Sequence, residues 1–175
     1  GEIRDKATVD IALKAALTGH LVFSTLHTND APSSITRLIN MGTPNYLISA
    51  ALTLIMAQRL ARKSCLDCRV IDENITPKLL NSIGFLPEQS ARAKIYKGTG
   101  CEKCGGSGYR GRMGIYEILE VDNELKAGIL SNLQQTELNA IAKKNGFKTM
   151  QDMGQDLLLS GDLSFAEYER VLQSS

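Results

Sequence analysis

Residues 1–30, GEIRDKATVDIALKAALTGHLVFSTLHTND, combine the signals of a helix, a strand and a polar strand end. Residues 8–18 place apolar side chains at helical spacing, and Gly19 follows as a stop. Residues 21–25, LVFST, form an almost wholly apolar run, which is typical of a strand covered on both faces. The stretch therefore predicts an α/β fold in which His27 follows the carboxyl end of a buried strand, where open α/β sheets bind ligands.

Further helices are predicted downstream. The next helix has an Asn/Asp start, Pro32 near its first turn and Gly42 just past its end. Pro44 opens a longer helix through about Leu60, which is apolar on most sides and is therefore expected to be buried. Residues 113–121 are predicted to form a strand, and the chain from Asn123 onward is predicted to be helical.

The bulk composition is that of a folded protein without a strong overall charge. The chain has 175 residues, is 43% hydrophobic and carries a formal net charge of +1, so no global basic field attracts nucleic acid. The N-terminus lacks the pattern of a signal peptide, and the longest apolar run is far shorter than the about 20 residues that cross a bilayer. These features predict a cytoplasmic protein.

The cysteines occur as two CxxC pairs, CLDC at 65–68 and CEKC at 101–104. Two such pairs supply four thiolates, the ligand set that tetrahedral Zn²⁺ prefers, and leave no coordination position open. We therefore predict a structural zinc site, with a dithiol redox pair or unligated buried cysteines as the alternatives. Few aromatics lie between the pairs, which disfavours a nucleic-acid partner. The predicted metal ligands are Cys65, Cys68, Cys101 and Cys104.

Several motifs follow one another in a fixed order: GEIRD, TGHLVFSTLHTNDA, RLINMG, AQRLAR and the cysteine pairs ending in CGGSGYRGR. In this order they resemble the secretion and pilus-assembly ATPases of the GspE/PilB type, hexameric motors that drive type II secretion or type IV pilus extension. The resemblance is dense over residues 1–120 and looser beyond. It implies a partial RecA-like P-loop NTPase core, followed by a tetracysteine zinc module and an α-helical C-terminal bundle.

The resemblance also implies roles for individual residues. GEIRD is similar to the end of a Walker B motif, so Glu2 would position or deprotonate the water that attacks the γ-phosphate. His20 and His27 match the family's histidine box, with His27 as the expected phosphate sensor, whereas two histidines taken alone are more often structural. The implied cofactors of the intact protein are ATP and Mg²⁺. The implied partners are other copies in a hexamer and inner-membrane platform proteins, with a peripheral location at that membrane.

Two features set this chain apart from the family pattern. The pattern GEIRDxET is replaced by GEIRDKAT, so Ala7 cannot make the charge contact of a glutamate. No G-x-x-x-x-G-K-[ST] occurs in the chain, and the resemblance places that loop upstream of Gly1. We therefore expect the C-terminal part of a larger ATPase, severed in Walker B and inactive alone. Its 21–25 strand and 44–60 helix should expose apolar faces, so that the fragment self-associates, swaps elements or covers them with its own tail.

The predicted layout has three parts. Residues 1–64 form the end of the ATPase core with Walker B and the histidine box, residues 65–112 form the zinc module, and residues 113–175 form a strand plus the helical bundle. The alternative to a motor fragment is a non-enzymatic, zinc-stapled interaction module, because CEKCGGSG resembles the CxxCxGxG repeats of J-domain chaperones. A dithiol redox protein is a third hypothesis.

Overall fold

The structure is a computed structural model, and it describes residues 1–173. The helices are α1 Lys6–Leu17, α2 Ala31–Asn40, α3 Asn45–Ala51, α4 Pro77–Ser82, α5 Pro87–Arg92, α6 Asn123–Leu130, α7 Gln135–Lys144, α8 Met150–Ser160 and α9 Phe165–Tyr168. The strands are β1 Leu54–Ser64, β2 Arg69–Ile71, β3 Tyr96–Gly98 and β4 Tyr109–Glu120. A 3₁₀ turn spans Glu102–Cys104, and a π-helical turn spans Glu169–Gln173.

The described chain divides into two compact units. The first contains Gly1–Ala57 and Glu117–Lys148, and the second contains Gln58–Tyr116 and the described residues from Thr149 onward. The strands β1 and β4 pair with each other, and the boundary between the two units falls within both strands.

The first unit has a helical core that follows from capping and apolar periodicity. Asp5 caps α1 by accepting from the backbone N–H of Thr8 at 2.8 Å, and Asp30 caps α2 by accepting from that of Ser33 at 2.7 Å. The capped helices bury apolar side chains at helical spacing, which pack together with residues of α3, α6 and α7. The most deeply buried include Val9, Ile35, Ile48, Leu125 and Ile129.

The prediction of a buried strand over residues 21–25 is wrong. The segment is extended, but its only pairing among the described residues is an isolated parallel bridge between Glu2 and Thr25. Leu21 and Phe23 are 81% and 82% exposed. No described strand lies beside this apolar run to cover it, so its side chains stay exposed. This exposure agrees with the expectation that the segment exposes an apolar face.

The prediction of one long helix over residues 44–60 is also wrong. The helix α3 ends at Ala51, because Leu52 adopts an extended conformation with ψ of 125°. The strand β1 then begins at Leu54, and its exposed and less exposed side chains alternate as in a half-covered strand. Apolar side chains remain exposed here, since Leu54, Met56 and Leu60 are each about half exposed.

The second unit is built around two small β-structures and the last helices. The strands β2 and β3 pair antiparallel, with Arg69 opposite Gly98 and Ile71 opposite Tyr96. The side-chain amide of Gln155 in α8 donates to the backbone carbonyl of Ile83, which follows α4, at 2.8 Å. The apolar side chains buried in this unit include Leu80, Phe85, Ile95, Leu158, Leu163 and Tyr168.

The predicted C-terminal helical bundle is not confirmed. The helices α6 and α7 belong to the first unit, whereas α8 and α9 belong to the second, so the helices after residue 121 share no single core. The mixed α/β character is confirmed, while the three-part domain division stays a prediction. No helix of the described chain is long and apolar enough to span a bilayer.

Candidate functional site

The extended segment at 21–25 brings Glu2 and His27 together. The backbone N–H of Ile3 donates to the carbonyl of Thr25 at 2.9 Å, so the two chain segments run side by side. Two residues beyond this bridge, His27 Nε2 lies 2.6 Å from Glu2 Oε1. The other carboxylate oxygen, Oε2, lies 2.6 Å from Arg4 Nη2. The Glu2 side chain is thus held between two basic groups.

The surroundings of Glu2 favour its charged form. The hydrogen bond from Arg4 lowers the pKa of Glu2, partial burial opposes this change, and the charge of His27 lowers the pKa further. The Glu2 side chain is 25% exposed and that of His27 is 87% exposed. Glu2 is therefore an ionised carboxylate at neutral pH whose side chain is partly open to solvent, although its Oε1 is buried.

His27 also lines a polar pocket at the start of α2. The pocket encloses about 330 Å³. Its lining combines hydroxyl, amide and charged groups with His27, and includes Thr28, Ser33, Thr36, Arg37 and Gln135. The Thr28 hydroxyl lies 2.8 Å from that of Ser34, which ties the segment after His27 to α2. The imidazole of His27 thus touches both the Glu2 carboxylate and a pocket that suits a polar ligand.

His20 lies apart from this pair in its contacts. Its Nδ1 lies 3.3 Å from the carbonyl of Ala15 and 3.2 Å from the hydroxyl of Thr18, both at the end of α1. These contacts are those of a residue that follows a helix C-terminus. The structure brings together Glu2 and His27, and the catalytic roles of Glu2, His20 and His27 stay predictions.

The four cysteines meet in one cluster, with ligand atoms all within 4.8 Å of one another. The Sγ atoms of Cys65 and Cys101 are 3.9 Å apart, as are those of Cys68 and Cys104. A tetrahedron with metal–sulfur bonds of about 2.3 Å has sulfur–sulfur edges of roughly 3.8 Å. The donor set and its spacing therefore fit one metal ion with four thiolate ligands.

Backbone N–H groups donate to one of the four sulfur atoms. The Sγ of Cys104 accepts from the backbone N–H groups of Cys101 at 3.1 Å and Gly108 at 3.3 Å. The first of these bonds is the main reason why the pKa of Cys104 is lowered to about 6. Burial, in contrast, raises the pKa of Cys68 to about 11. A bound cation would stabilise the remaining thiolates.

Gly98 and Gly108 allow the backbone to close around the cluster. A Cβ atom on Gly98 would lie 2.1 Å from the carbonyl oxygen of Gly108, which no side chain allows. Gly108 has a φ of 75°, and its carbonyl accepts from the N–H of Cys65 at 2.9 Å. The glycines of this region thus bring the two cysteine pairs within reach of each other.

Two buried carboxylates lie outside the predicted site. Glu117 is 4% exposed and accepts a hydrogen bond from the backbone N–H of Ala31 at the start of α2. Glu167 is 0% exposed and pairs with Arg62 and Arg170. For Glu117 a signal existed, because it lies between the apolar Ile115 and Leu119 at the spacing of two that places all three on one face of β4.

Comparison with known proteins places the chain in a family. Residues 1–170 match the family model described as "Type II/IV secretion system protein". The chain belongs to this family.

Individual relatives match nearly the whole chain. It is 46% identical over 167 residues to the type IV pilus assembly ATPase PilB of Thermus thermophilus, covering 95% of this chain and 19% of that protein. It is 40% identical over 175 residues to the putative type II secretion system protein E of Escherichia coli, covering 100% of this chain and 35% of that protein. The chain thus spans about a fifth to a third of the length of these relatives.

Solved structures share the fold. The pilus retraction motor PilT, crystallised with ADP, matches with a TM-score of 0.63 and 25% identity, over 100% of this chain and 38% of PilT. The Legionella pneumophila ATPase DotB matches with a TM-score of 0.63 and 21% identity, over 100% and 38% of the two chains. The chain therefore has the fold of the corresponding part of these ATPases.

Proposed function

We propose that this chain is the C-terminal part of a hexameric ATPase that powers type IV pilus assembly or type II protein secretion by hydrolysing ATP. The observation that carries the proposal is the 46% identity, over 95% of the chain, to a protein named as a type IV pilus assembly ATPase. The relative in Escherichia coli is named as a putative type II secretion system protein, so protein secretion is the second form of the proposed function.

Glu2 acts as the carboxylate that orients or deprotonates the water attacking the γ-phosphate. Its ionised state and its exposure to solvent support this role. His27 reports the state of the phosphate to Glu2, since its imidazole touches Glu2 and lines the polar pocket. His20, at the end of α1, acts as the other histidine of the histidine box. The phosphate-binding loop and the ligands for Mg²⁺ lie in polypeptide outside these 175 residues, so the chain alone does not hydrolyse ATP.

The cysteine cluster holds a structural Zn²⁺. Four thiols at tetrahedral spacing support this assignment, and a site with four protein ligands has no open position for catalysis. The resident ion therefore stabilises the second unit and takes no part in the chemistry of ATP.

The assembled protein works in the cytoplasm at the inner membrane. The names of the relatives, a pilus assembly ATPase and a secretion system protein, support partners in the membrane platform of such a machine. The proposed assembly is a homo-hexamer without nucleic acid.

The proposal is tested by ATP turnover of the full-length protein that contains this chain. Glu2→Gln keeps the size of the side chain and removes the base, so we expect turnover to fall at least about 100-fold. The matched control Glu88→Gln changes an exposed glutamate of α5 and should leave turnover unchanged. Wild-type turnover in the Glu2→Gln variant would refute the assigned role, and a full-length protein without ATPase activity would refute the function.

A further inference from the structure

The residues that flank the first cysteine pair contact the turn after α8. Ser64, directly before Cys65, donates its backbone N–H to the carbonyl of Asp162 at 2.8 Å. Lys63 pairs with the carboxylate of the same Asp162 at 3.1 Å. The strand that leads into the first cysteine is therefore bonded to the turn by both main chain and side chain.

Arg69, directly after Cys68, contacts the same turn from the other side of the cysteine pair. Its Nη1 donates to the carbonyls of Ser160 and Gly161 at 3.3 and 3.1 Å, where α8 ends and its last carbonyls need donors. The guanidinium also stacks on the Tyr96 ring at 5.0 Å. Gly161, with φ of 74°, leaves room for this contact, since a Cβ there would lie 2.8 Å from both Arg69 and Tyr96.

The second cysteine pair is linked to the same region through Tyr109. The Tyr109 hydroxyl lies 3.1 Å from that of Ser164, the residue that caps α9. The Tyr109 ring carries the Arg62 guanidinium at 4.1 Å, and Arg62 in turn bonds the buried Glu167 at 2.7 to 2.9 Å. Chain segments on both sides of the metal site thus converge on residues 160–167, which we call the clasped turn.

The clasped turn carries much of the buried surface of the C-terminal segment. Leu163 and Glu167 are 0% exposed, and Ser164 is 3% exposed. Small units often need a metal or a disulfide to complete their core, and the contacts to this turn come from segments that flank the cysteines. Their positions follow those of the two cysteine pairs, which are joined by the four-thiol cluster and by main-chain bonds such as that from the Cys65 N–H to the Gly108 carbonyl.

We propose that metal binding by the four cysteines locks the C-terminal segment from Thr149 to Gln173 onto the second unit, and that loss of the metal releases it. This inference rests on the proposed zinc site and extends it. The metal fixes the two cysteine pairs relative to each other, which places Ser64, Arg69 and Tyr109 where they hold the clasped turn. The presence or absence of metal at the four thiols therefore controls whether α8 and α9 are docked.

Hydrogen exchange measured by mass spectrometry tests the proposal on this chain. The zinc content is first measured by elemental analysis, and exchange is compared between zinc-loaded protein and protein treated with a high-affinity zinc chelator. We expect chelation to speed exchange over residues 157–168 at least about tenfold, while peptides from α6 and α7 in the first unit stay unchanged. Protein that keeps its zinc until chelation and then shows unchanged exchange over 157–168 refutes the lock.

Zinc affinity supplies a second measurement of the same coupling. If the metal favours docking, docking must favour the metal by the same factor. We therefore expect Arg69→Gln to weaken zinc binding at least about fivefold in a competition titration. The control Arg112→Gln, in an exposed arginine of β4, should leave the affinity unchanged.

The outcomes separate the two proposals. A chain that binds no zinc refutes both the metal site and the lock. A chain that binds zinc with equal affinity in the wild type and in Arg69→Gln refutes the lock alone. If chelation unfolds both units together, the affinity comparison decides, and a fivefold loss confined to Arg69→Gln supports the lock.

Discussion

Glu167 shows how a single buried charge is stabilised in this molecule. Its carboxylate accepts from the backbone N–H of Arg62 at 2.7 Å, from the guanidinium of Arg62, and from that of Arg170 at 2.8 and 2.5 Å. Burial raises the pKa of Glu167, but the hydrogen bonds from Arg170 and Arg62 outweigh it and lower the pKa to about 2. The charged form of Glu167 is therefore the form that the folded second unit requires.

Glu167→Gln should destabilise the second unit by about 3 kcal/mol at neutral pH, because two arginines lose a buried charged partner. The ordinary pKa is 4.5 and the folded value is lower, so this stability is present above pH 4.5 and is lost as the pH falls toward 2. Urea unfolding at pH 7, 4 and 3 measures both effects. The difference in free energy of unfolding between the wild type and the variant should shrink as the pH falls. A difference that stays constant would contradict the assigned role of the charged Glu167.

The control for this experiment is Glu88→Gln. Glu88 is an exposed residue of α5 in the same unit, so its substitution removes a carboxylate without removing a buried ion pair. We expect its free energy of unfolding to stay within about 0.5 kcal/mol of the wild-type value at each pH.

At the residue scale, motifs were sufficient to find the candidate site but not its contacts. Glu2 and His27 were predicted from GEIRD and the histidine box, yet their 2.6 Å contact depends on the bridge to Thr25, which joins distant parts of the chain. The cysteine cluster was predicted in full, because the spacing of two CxxC pairs is itself a geometric constraint. For Glu167 the local signal was incomplete: Arg170 lies three residues on, but the second arginine partner, Arg62, lies far away in sequence.

At the scale of elements, caps and turn residues predicted helices better than apolar content did. The helix α2 was predicted correctly because Asp30, Pro32 and Gly42 mark its two ends. The region 44–60 was misread, because a short apolar run fits a buried helix or a strand equally well and no glycine or proline marks the break at Leu52. The alternating burial along β1 has no counterpart in the residue types, because charged Arg59 lies on the less exposed face and apolar Leu60 on the exposed one.

The turn after α8 offers a test at the same scale. Gly161→Ala places a Cβ 2.8 Å from Arg69 and Tyr96, in addition to the cost of a left-handed alanine. Gly111→Ala is a matched control, because Gly111 has a φ of 79° against 74° and nothing within 4 Å of the added Cβ. We expect both variants to lose roughly 1 kcal/mol from backbone strain.

The difference between the two variants isolates the close contact. Gly161→Ala should lose about 1 kcal/mol more than Gly111→Ala in urea unfolding, because the added atom overpacks the contact of Arg69 with the end of α8. Equal losses in the two variants would show that the turn does not depend on this close approach.

At the scale of the whole molecule, the first unit exposes apolar side chains that a folded protein ordinarily covers. Leu21, Phe23, Leu54 and Met56 are 81%, 82%, 49% and 54% exposed. A cavity of about 270 Å³ lies between the 22–28 segment, α1 and the start of β1. Such a surface favours contact with further polypeptide.

We expect the isolated chain to self-associate through this surface. Light scattering after size-exclusion chromatography should give a mass above the 19.1 kDa of one chain. The double substitution Leu21→Ser with Phe23→Ser should shift the mass toward 19.1 kDa, with little loss of stability because both side chains are exposed. A wild-type chain that is monomeric at high concentration would contradict this expectation.

ATP turnover of the 175-residue chain, measured beside that of the full-length protein, tests the central claim most directly. The proposed function places the water-activating carboxylate Glu2 in this chain and the phosphate-binding loop in other polypeptide. It predicts turnover by the full-length protein and only background release of phosphate by the chain alone. Phosphate release by the chain alone that disappears in its Glu2→Gln variant would contradict the account.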